Sequence, residues 1–114
     1  MRFLSFALAL GCVLAFPVLA QGKLVYEGEE AAALRCSNTL ALTAVALSRA
    51  GLIDEVEKEV MLGITVLILE RHVRGSWAQK KRALEVMRNR RSIPDTLADY
   101  HRNAARCLRQ FPIN

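Results

Sequence analysis

The stretch VMLGITVLIL, residues 60–69, decides which fold class the chain can adopt. Its β-branched side chains would suit a buried strand as well as a helix. Asp54 and Glu57 precede it at the spacing of a capping box, which predicts a helix start, and no other segment offers a partner strand. We therefore expect a helix that begins at Asp54 and ends near Gly75. Ten residues are also too few to cross a bilayer, which takes about 20.

Helix-ending and helix-starting residues predict three further helices on either side of this stretch. The first covers residues 29–50 and stops at Gly51, a residue type that favours the position after a helix. The third is capped by Ser76 and runs to about residue 90. Ser92 caps the fourth. No internal repeat and no long linker interrupts this order, so the sequence predicts an all-α protein with one helical domain.

The first helix is apolar on two sides, which indicates a central position. Leu34 and Val45 share one face, and Cys36 and Leu40 lie on another. A helix that is apolar around much of its surface is normally surrounded by other elements. Gly63 in the second helix lowers helix stability, so we expect it to pack closely against a neighbour.

The cysteines add a covalent constraint to this bundle. Cys36 and Cys107 form an even pair after residue 20, and in an oxidising compartment they are most simply one disulfide. No C-x-x-C motif is present, so a redox role is disfavoured. The bond would hold the first and fourth helices side by side. The predicted fold is a small disulfide-stapled four-helix bundle that follows an N-terminal signal peptide.

The N-terminus carries the features of an export signal. One arginine precedes an apolar run over residues 3–16, and Val18 and Ala20 suit a signal peptidase cut after Ala20. We expect residues 1–20 to be a cleaved signal peptide and residues 21–114 to be the mature domain, periplasmic or secreted. The less favoured alternative keeps the segment as a membrane anchor.

Charge divides the chain into two halves. Residues 21–70 carry four basic and eight acidic side chains, whereas residues 71–114 carry eleven basic and three acidic ones. Much of this pattern follows the helix dipole, which favours acids at the start of a helix and bases at its end. Lys80, Lys81 and Arg82 do not, because they lie near the start of the third helix.

The stretch GSWAQKKRALEVMRNRR, residues 75–91, is therefore the first candidate for a binding surface. Its Trp77 is interpreted as a core or rim packing residue, since it shares the inward side with Leu84 and Met87. The candidate binding residues are Lys80, Lys81, Arg82, Trp77 and Arg88.

Catalysis has little support in the sequence. His72 and His101 each have a carboxylate two residues away, which on a helix points in nearly the opposite direction. No metal-binding spacing, nucleophile motif or glycine-rich phosphate loop is present. We expect a non-enzyme without a cofactor or a metal. The alternative is a small metal or acid–base enzyme in which His72 and His101 meet across helices.

Two non-catalytic functions remain as hypotheses. The first is an interaction protein of the cell envelope, such as an inhibitor, immunity factor, chaperone or complex subunit. Periplasmic acid-stress chaperones and immunity proteins resemble this layout in architecture, although no motif residue carries over. The second is a membrane-surface module whose basic half binds anionic lipid. Export argues against nucleic acid as a partner, and the oligomeric state is open.

Overall fold

Four helices form the described part of the protein. The computed structural model describes residues 24–114, of which 79% are helical, and no strand occurs among them. The helices are α1 (Gly28–Arg49), α2 (Glu55–His72), α3 (Trp77–Arg90) and α4 (Ile93–Gln110). The all-α prediction is confirmed, including the helical assignment of residues 60–69. The predicted signal peptide, residues 1–20, lies outside the described residues.

Side-chain caps set the starts of three helices. The Glu57 amide donates to the Asp54 carboxylate over 2.8 Å, and the Asp54 amide donates to the Glu57 carboxylate over 3.2 Å. Ser76 and Gln79 form the same reciprocal pair before α3. Ser92 caps α4 through its hydroxyl. These bonds satisfy amides that have no partner inside the helix, which is why the predicted starts are confirmed.

Two of the turns between helices contain a glycine with positive φ. Gly51 has φ +74°, and its amide donates to the Ser48 carbonyl over 3.0 Å while the next amide donates to Leu47 over 2.9 Å. This pair of bonds is a Schellman motif, which closes α1. Gly75 has φ +100°, and a Cβ atom there would lie 2.6 Å from the Leu24 side chain. Both turns therefore need glycine.

Helix α1 is the element on which the others pack. Helices α2, α3 and α4 each contact α1, as its apolar pattern predicts. Among the described residues, eight form the hydrophobic core: Ala33, Leu34, Cys36, Leu40, Ile68, Leu69, Val73 and Phe111. Helix α1 is also long enough and apolar enough to cross a membrane, judged by length and composition alone. Half of its apolar stretch is buried by the rest of the chain, as is common for the central helix of a folded domain.

Polar side chains are also buried on α1, and the sequence did not indicate this. Ser37, Asn38, Thr39 and Thr43 are all buried, together with Ala33 on the same helix. Their small volume lets neighbouring helices approach the α1 backbone closely, because interaxial distance depends on the side chains at the contact.

Helix α2 buries only one side. Thr65, Ile68 and Leu69 are buried, whereas Val60 is exposed although it belongs to the apolar run. Gly63 is exposed as well, and a Cβ atom built on it would meet nothing within 4 Å. The expectation that Gly63 packs closely against a neighbour within the described chain is wrong, because α2 packs on α1 with its opposite face.

Cys36 and Cys107 connect α1 to α4. Their sulfur atoms lie at disulfide-bonding distance and their Cα atoms are 5.7 Å apart, within the range of native disulfides. The two residues are 71 positions apart in the chain. The predicted pairing, and the side-by-side arrangement of the first and fourth helices, are confirmed.

Reduction of this bond should destabilise the protein strongly. Closing a loop of this length restricts the unfolded chain by about 4 kcal/mol in the chain-entropy model. We expect the double variant Cys36→Ala/Cys107→Ala to unfold at markedly lower urea concentration than the oxidised protein. Dithiothreitol should lower the urea midpoint of the wild type to that of the variant and should leave the midpoint of the variant unchanged. Equal midpoints for the oxidised and reduced wild type would contradict a stabilising disulfide.

Candidate binding groove

The three basic residues near the start of α3, whose charges oppose its dipole, do not form one surface. Lys80 is only 8% exposed, and its ammonium group donates to the Leu69 carbonyl over 3.0 Å. Leu69 lies in the last turn of α2, where the helix dipole favours positive charge. The positive charge of Lys80 opposes the dipole of α3, because the residue lies near the start of that helix, but the same charge is favourable at the end of α2. This contact removes it from the candidate docking residues.

The other candidates lie at the surface. Lys81, Arg82 and Arg88 are exposed on α3. Trp77 is 46% exposed, so it lies at the rim of the packed surface and not in the core. Side chains on a helix lean toward its N-terminus. Trp77 is the first residue of α3, so its side chain leans beyond the N-terminal end of the helix. Leu84 and Met87, its neighbours on the inward side, pack against the core as expected.

A groove of about 550 Å³ lies between α1, α3 and the segment before α1. Its apolar lining includes Leu34 of α1 and Met87 of α3. Four arginines also line it: Arg35, Arg82, Arg90 and Arg91. We call this feature the basic groove. Of the residues that the sequence singled out for binding, it contains only Arg82.

Hydrogen bonds hold one end of the basic groove in place. The Tyr26 hydroxyl, which lines the groove, donates to the Arg74 carbonyl over 3.0 Å. The Arg74 side chain donates to the Val25 carbonyl over 3.1 Å and pairs with Glu30 at 3.2 Å. Burial, together with the Glu30 carboxylate, raises the pKa of Tyr26, so its hydroxyl keeps its proton at neutral pH. The segment before α1 is thereby fixed against the α2–α3 turn.

Two of the groove arginines have no acidic partner in the described chain. Arg91 is 3.4 Å from a carboxylate oxygen of Asp99. Arg35 and Arg90 are exposed, and neither makes an ion pair or side-chain hydrogen bond with residues 24–114. Their guanidinium groups present paired donors whose geometry matches a carboxylate. The groove thus combines an apolar lining with available positive charge.

Asp99 forms a polar contact between α1 and α4 that the sequence did not reveal. Its carboxylate accepts hydrogen bonds from Asn103 at 2.6 Å, Thr39 at 3.2 Å and Arg91 at 3.4 Å. Burial acts to raise the pKa of Asp99, but these three bonds and the Arg91 charge outweigh it and hold the pKa below the ordinary value near 3.8. The Asp99–Asn103 spacing of four residues was the only local signal.

A smaller cavity of about 190 Å³ lies beside Asp99, between α1 and α4. Arg35 also lines this cavity, along with Arg106 and Cys107. The Asp99 carboxylate is already engaged by three donors, so it serves to connect α1 and α4.

The two histidines are not brought together. The Nε2 atom of His72 lies 2.8 Å from the Pro112 carbonyl, and its ring packs edge-on against Phe111. His101 is ten residues before Phe111, about 15 Å away along α4. Among residues 24–114 no group of three or more His, Cys, Asp or Glu side chains is placed to hold a metal ion.

No protein-family model, no curated protein and no solved structure matches the chain. Its function must therefore be inferred from its own residues. Among the described residues that line the basic groove, none is a Ser, Cys, His, Asp or Glu. The arrangement suits binding of an apolar ligand with negative charge and supplies no general base or nucleophile of those types.

Removal of the Lys80 ammonium group should lower stability without disturbing the surface. Lys80→Met keeps most of the buried stem and deletes the bond to the end of α2. Because hydrogen bonds to charged groups contribute about 1.5–3 kcal/mol, we expect the free energy of unfolding to fall by a similar amount. Lys81→Met, at the exposed neighbouring position, should stay within about 0.5 kcal/mol in the same urea titration. Equal effects of the two changes would contradict the buried contact.

The Asp99 network should make stability depend on acidic pH. Its pKa is lower in the folded than in the unfolded chain, so its contribution is present above about pH 4 and is lost as pH falls through the folded value. Asp99→Asn should be less stable at pH 7 and should lose less of its stability between pH 7 and pH 2 than the wild type. Glu85→Gln, on the exposed side of α3, is the matched control. If the stability of Asp99→Asn falls with decreasing pH as steeply as that of the wild type, this role of Asp99 is contradicted.

Proposed function

We propose that the protein is an exported, non-catalytic interaction protein of the cell envelope that binds a partner protein in the basic groove. The observation that carries the proposal is the pair Arg35 and Arg90, two exposed guanidinium groups without an acidic partner in residues 24–114, on an apolar-lined groove. An inhibitor, immunity factor, chaperone or complex subunit would each use such a surface.

The chemistry of the groove favours an apolar segment with acidic residues. Its volume of about 550 Å³ falls in the range of ligand-binding clefts. Apolar side chains would fill the space beside Leu34 and Met87, and carboxylates would bind Arg35 and Arg90 in the bidentate geometry that guanidinium favours. An amphipathic helix that places apolar anchors every three or four residues meets both requirements.

Export is supported by two independent features. Residues 1–20 have the charge, apolar length and final small residue of a signal peptide. The pair Cys36 and Cys107 lies at bonding distance, and disulfides persist in oxidising compartments. Partners of an exported protein are themselves exported or membrane-exposed, which is why we place the partner in the envelope.

Binding to anionic lipid is the second candidate. Trp77 is 46% exposed and Ile93 is 54% exposed, both in the half of the chain that is rich in arginine. Tryptophan favours the membrane–water interface, and basic side chains are attracted to anionic headgroups. Vesicle sedimentation with anionic and neutral phospholipid separates the two candidates. Strong binding to anionic vesicles that persists in Arg35→Gln/Arg90→Gln would favour the lipid surface over the groove.

The groove proposal predicts charge-selective peptide binding. The probe is a labelled amphipathic helical peptide of about 16 residues, four turns long, with leucine anchors and glutamate flanks; its analogue carries lysine flanks instead. We expect the glutamate peptide to bind and the lysine peptide not to bind, as measured by fluorescence anisotropy. Arg35→Gln/Arg90→Gln should weaken binding at least about tenfold, since charged hydrogen bonds contribute about 1.5–3 kcal/mol.

A control variant removes the same two charges elsewhere. Arg71→Gln/Arg102→Gln changes exposed arginines of α2 and α4 that do not line the groove. We expect its affinity for the glutamate peptide to remain within about twofold of the wild type at matched ionic strength. If both double variants weaken binding equally, the attraction comes from net charge and the groove proposal fails.

A further inference from the structure

Helix α2 presents an apolar face that the rest of residues 24–114 leaves largely exposed. Val56 is 69% exposed and Val60 is 56% exposed, and the same line continues through the exposed Gly63 to the half-buried Leu67. These four positions are spaced at four, three and four residues, so they share one face of the helix. We call them the α2 outer face.

An acidic edge runs beside the α2 outer face. Glu59 and Glu70 flank the line on one side and are exposed. Neither makes an ion pair or side-chain hydrogen bond with residues 24–114, whereas Glu55 pairs with Lys58 at 2.8 Å. At 1.5 Å per residue the two unpaired carboxylates lie about 16 Å apart along the helix.

The same chain therefore carries two partly apolar surfaces of opposite charge. The α2 outer face has the spacing of a helix that docks in a groove, and carboxylates flank it. The basic groove has an apolar lining and two guanidinium groups, those of Arg35 and Arg90, that pair with no carboxylate in residues 24–114. Each surface lacks what the other supplies.

We propose that the α2 outer face of one molecule docks in the basic groove of a second copy. Val60 and Leu67 would enter the apolar part of the groove, and Glu59 and Glu70 would pair with Arg35 and Arg90. Gly63, with open space at its Cβ position, would let the groove wall approach the α2 backbone closely. This inference rests on the proposed function only in using the same groove.

A symmetric dimer of two α2 outer faces is disfavoured by charge. If two such faces packed antiparallel about Gly63, the acidic edges would lie on the same side of the interface. Glu59 of one copy would then lie near Glu70 of the other, and like charges at close range are destabilising. The face-to-groove contact brings opposite charges together instead.

The proposed contact is heterologous, so one molecule can donate a face and accept another at the same time. Such contacts close into rings or extend as chains. The copy that occupies a groove also blocks it, so a partner that binds there would compete with self-association. High salt should weaken the assembly because exposed charges are screened within about 3 Å at 1 M.

Complementation between two variants tests the contact. Val60→Asp damages the outer face and leaves the groove intact, whereas Arg35→Glu/Arg90→Glu damages the groove and leaves the face intact. We expect the wild type to gain mass with concentration in sedimentation equilibrium at low salt, and each variant to remain monomeric. An equimolar mixture of the two variants should form a dimer, with twice the mass of either alone, and grow no further.

Matched changes elsewhere should leave the wild-type assembly unchanged. Leu108→Asp alters a partly exposed apolar residue of α4, and Arg102→Glu/Arg109→Glu reverses two exposed arginines of that helix. Circular dichroism checks that every variant keeps its helices. A wild type that stays monomeric at about 1 mM, far above the dissociation constant of a micromolar contact, would overturn the proposal. A variant mixture that stays monomeric, or dimers of the groove variant alone, would overturn it as well.

The peptide measurement keeps this inference separate from the proposed function. Val60→Asp retains the groove, so it should bind the glutamate peptide as the wild type does. Peptide binding without self-association would refute the second-copy contact and leave the partner-binding function standing. Self-association without peptide binding would refute the partner-binding function and leave the second-copy contact standing.

Discussion

The packing of all three other helices on α1 is the constraint on which the structure depends. Because α2, α3 and α4 each contact α1, that helix must be compatible with neighbours on several sides. Small polar residues such as Ser37 and Thr43 meet this demand, since they occupy little space and are buried. Cys36 lies on the same helix, so the disulfide attaches α4 to the element that already organises the core.

The shared use of α1 also leaves surfaces uncovered. Helix α2 packs on α1 with Thr65 and Ile68 and exposes Val60 on its other side. Helix α3 covers only part of α1, and the space beside Leu34 becomes the basic groove. A chain with four mutually packed helices would bury more of both surfaces. The two docking surfaces proposed for this protein thus follow from the way its helices are arranged.

Charge has two separate uses in the molecule. Lys80 is placed against the end of α2, and Arg91 joins Asp99, so these cations stabilise contacts between segments of the fold. Arg35 and Arg90 make no such contact within residues 24–114. The high content of basic residues in the second half is therefore a poor guide to binding by itself, because structural and available cations can be adjacent in the chain, as Arg91 and Arg90 are.

The sequence by itself determined the features that depend on residues close in the chain. Asp54 with Glu57, and Ser76 before α3, form bonds over three residues, so their residue types predict the helix starts. Pairing of Cys36 with Cys107 was also predictable, because only two cysteines follow residue 20. The roles of Lys80 and Gly63 were decided by tertiary structure alone. Whether a side chain meets a carbonyl, another helix or solvent depends on how helices are oriented, and periodicity defines a face without saying what covers it.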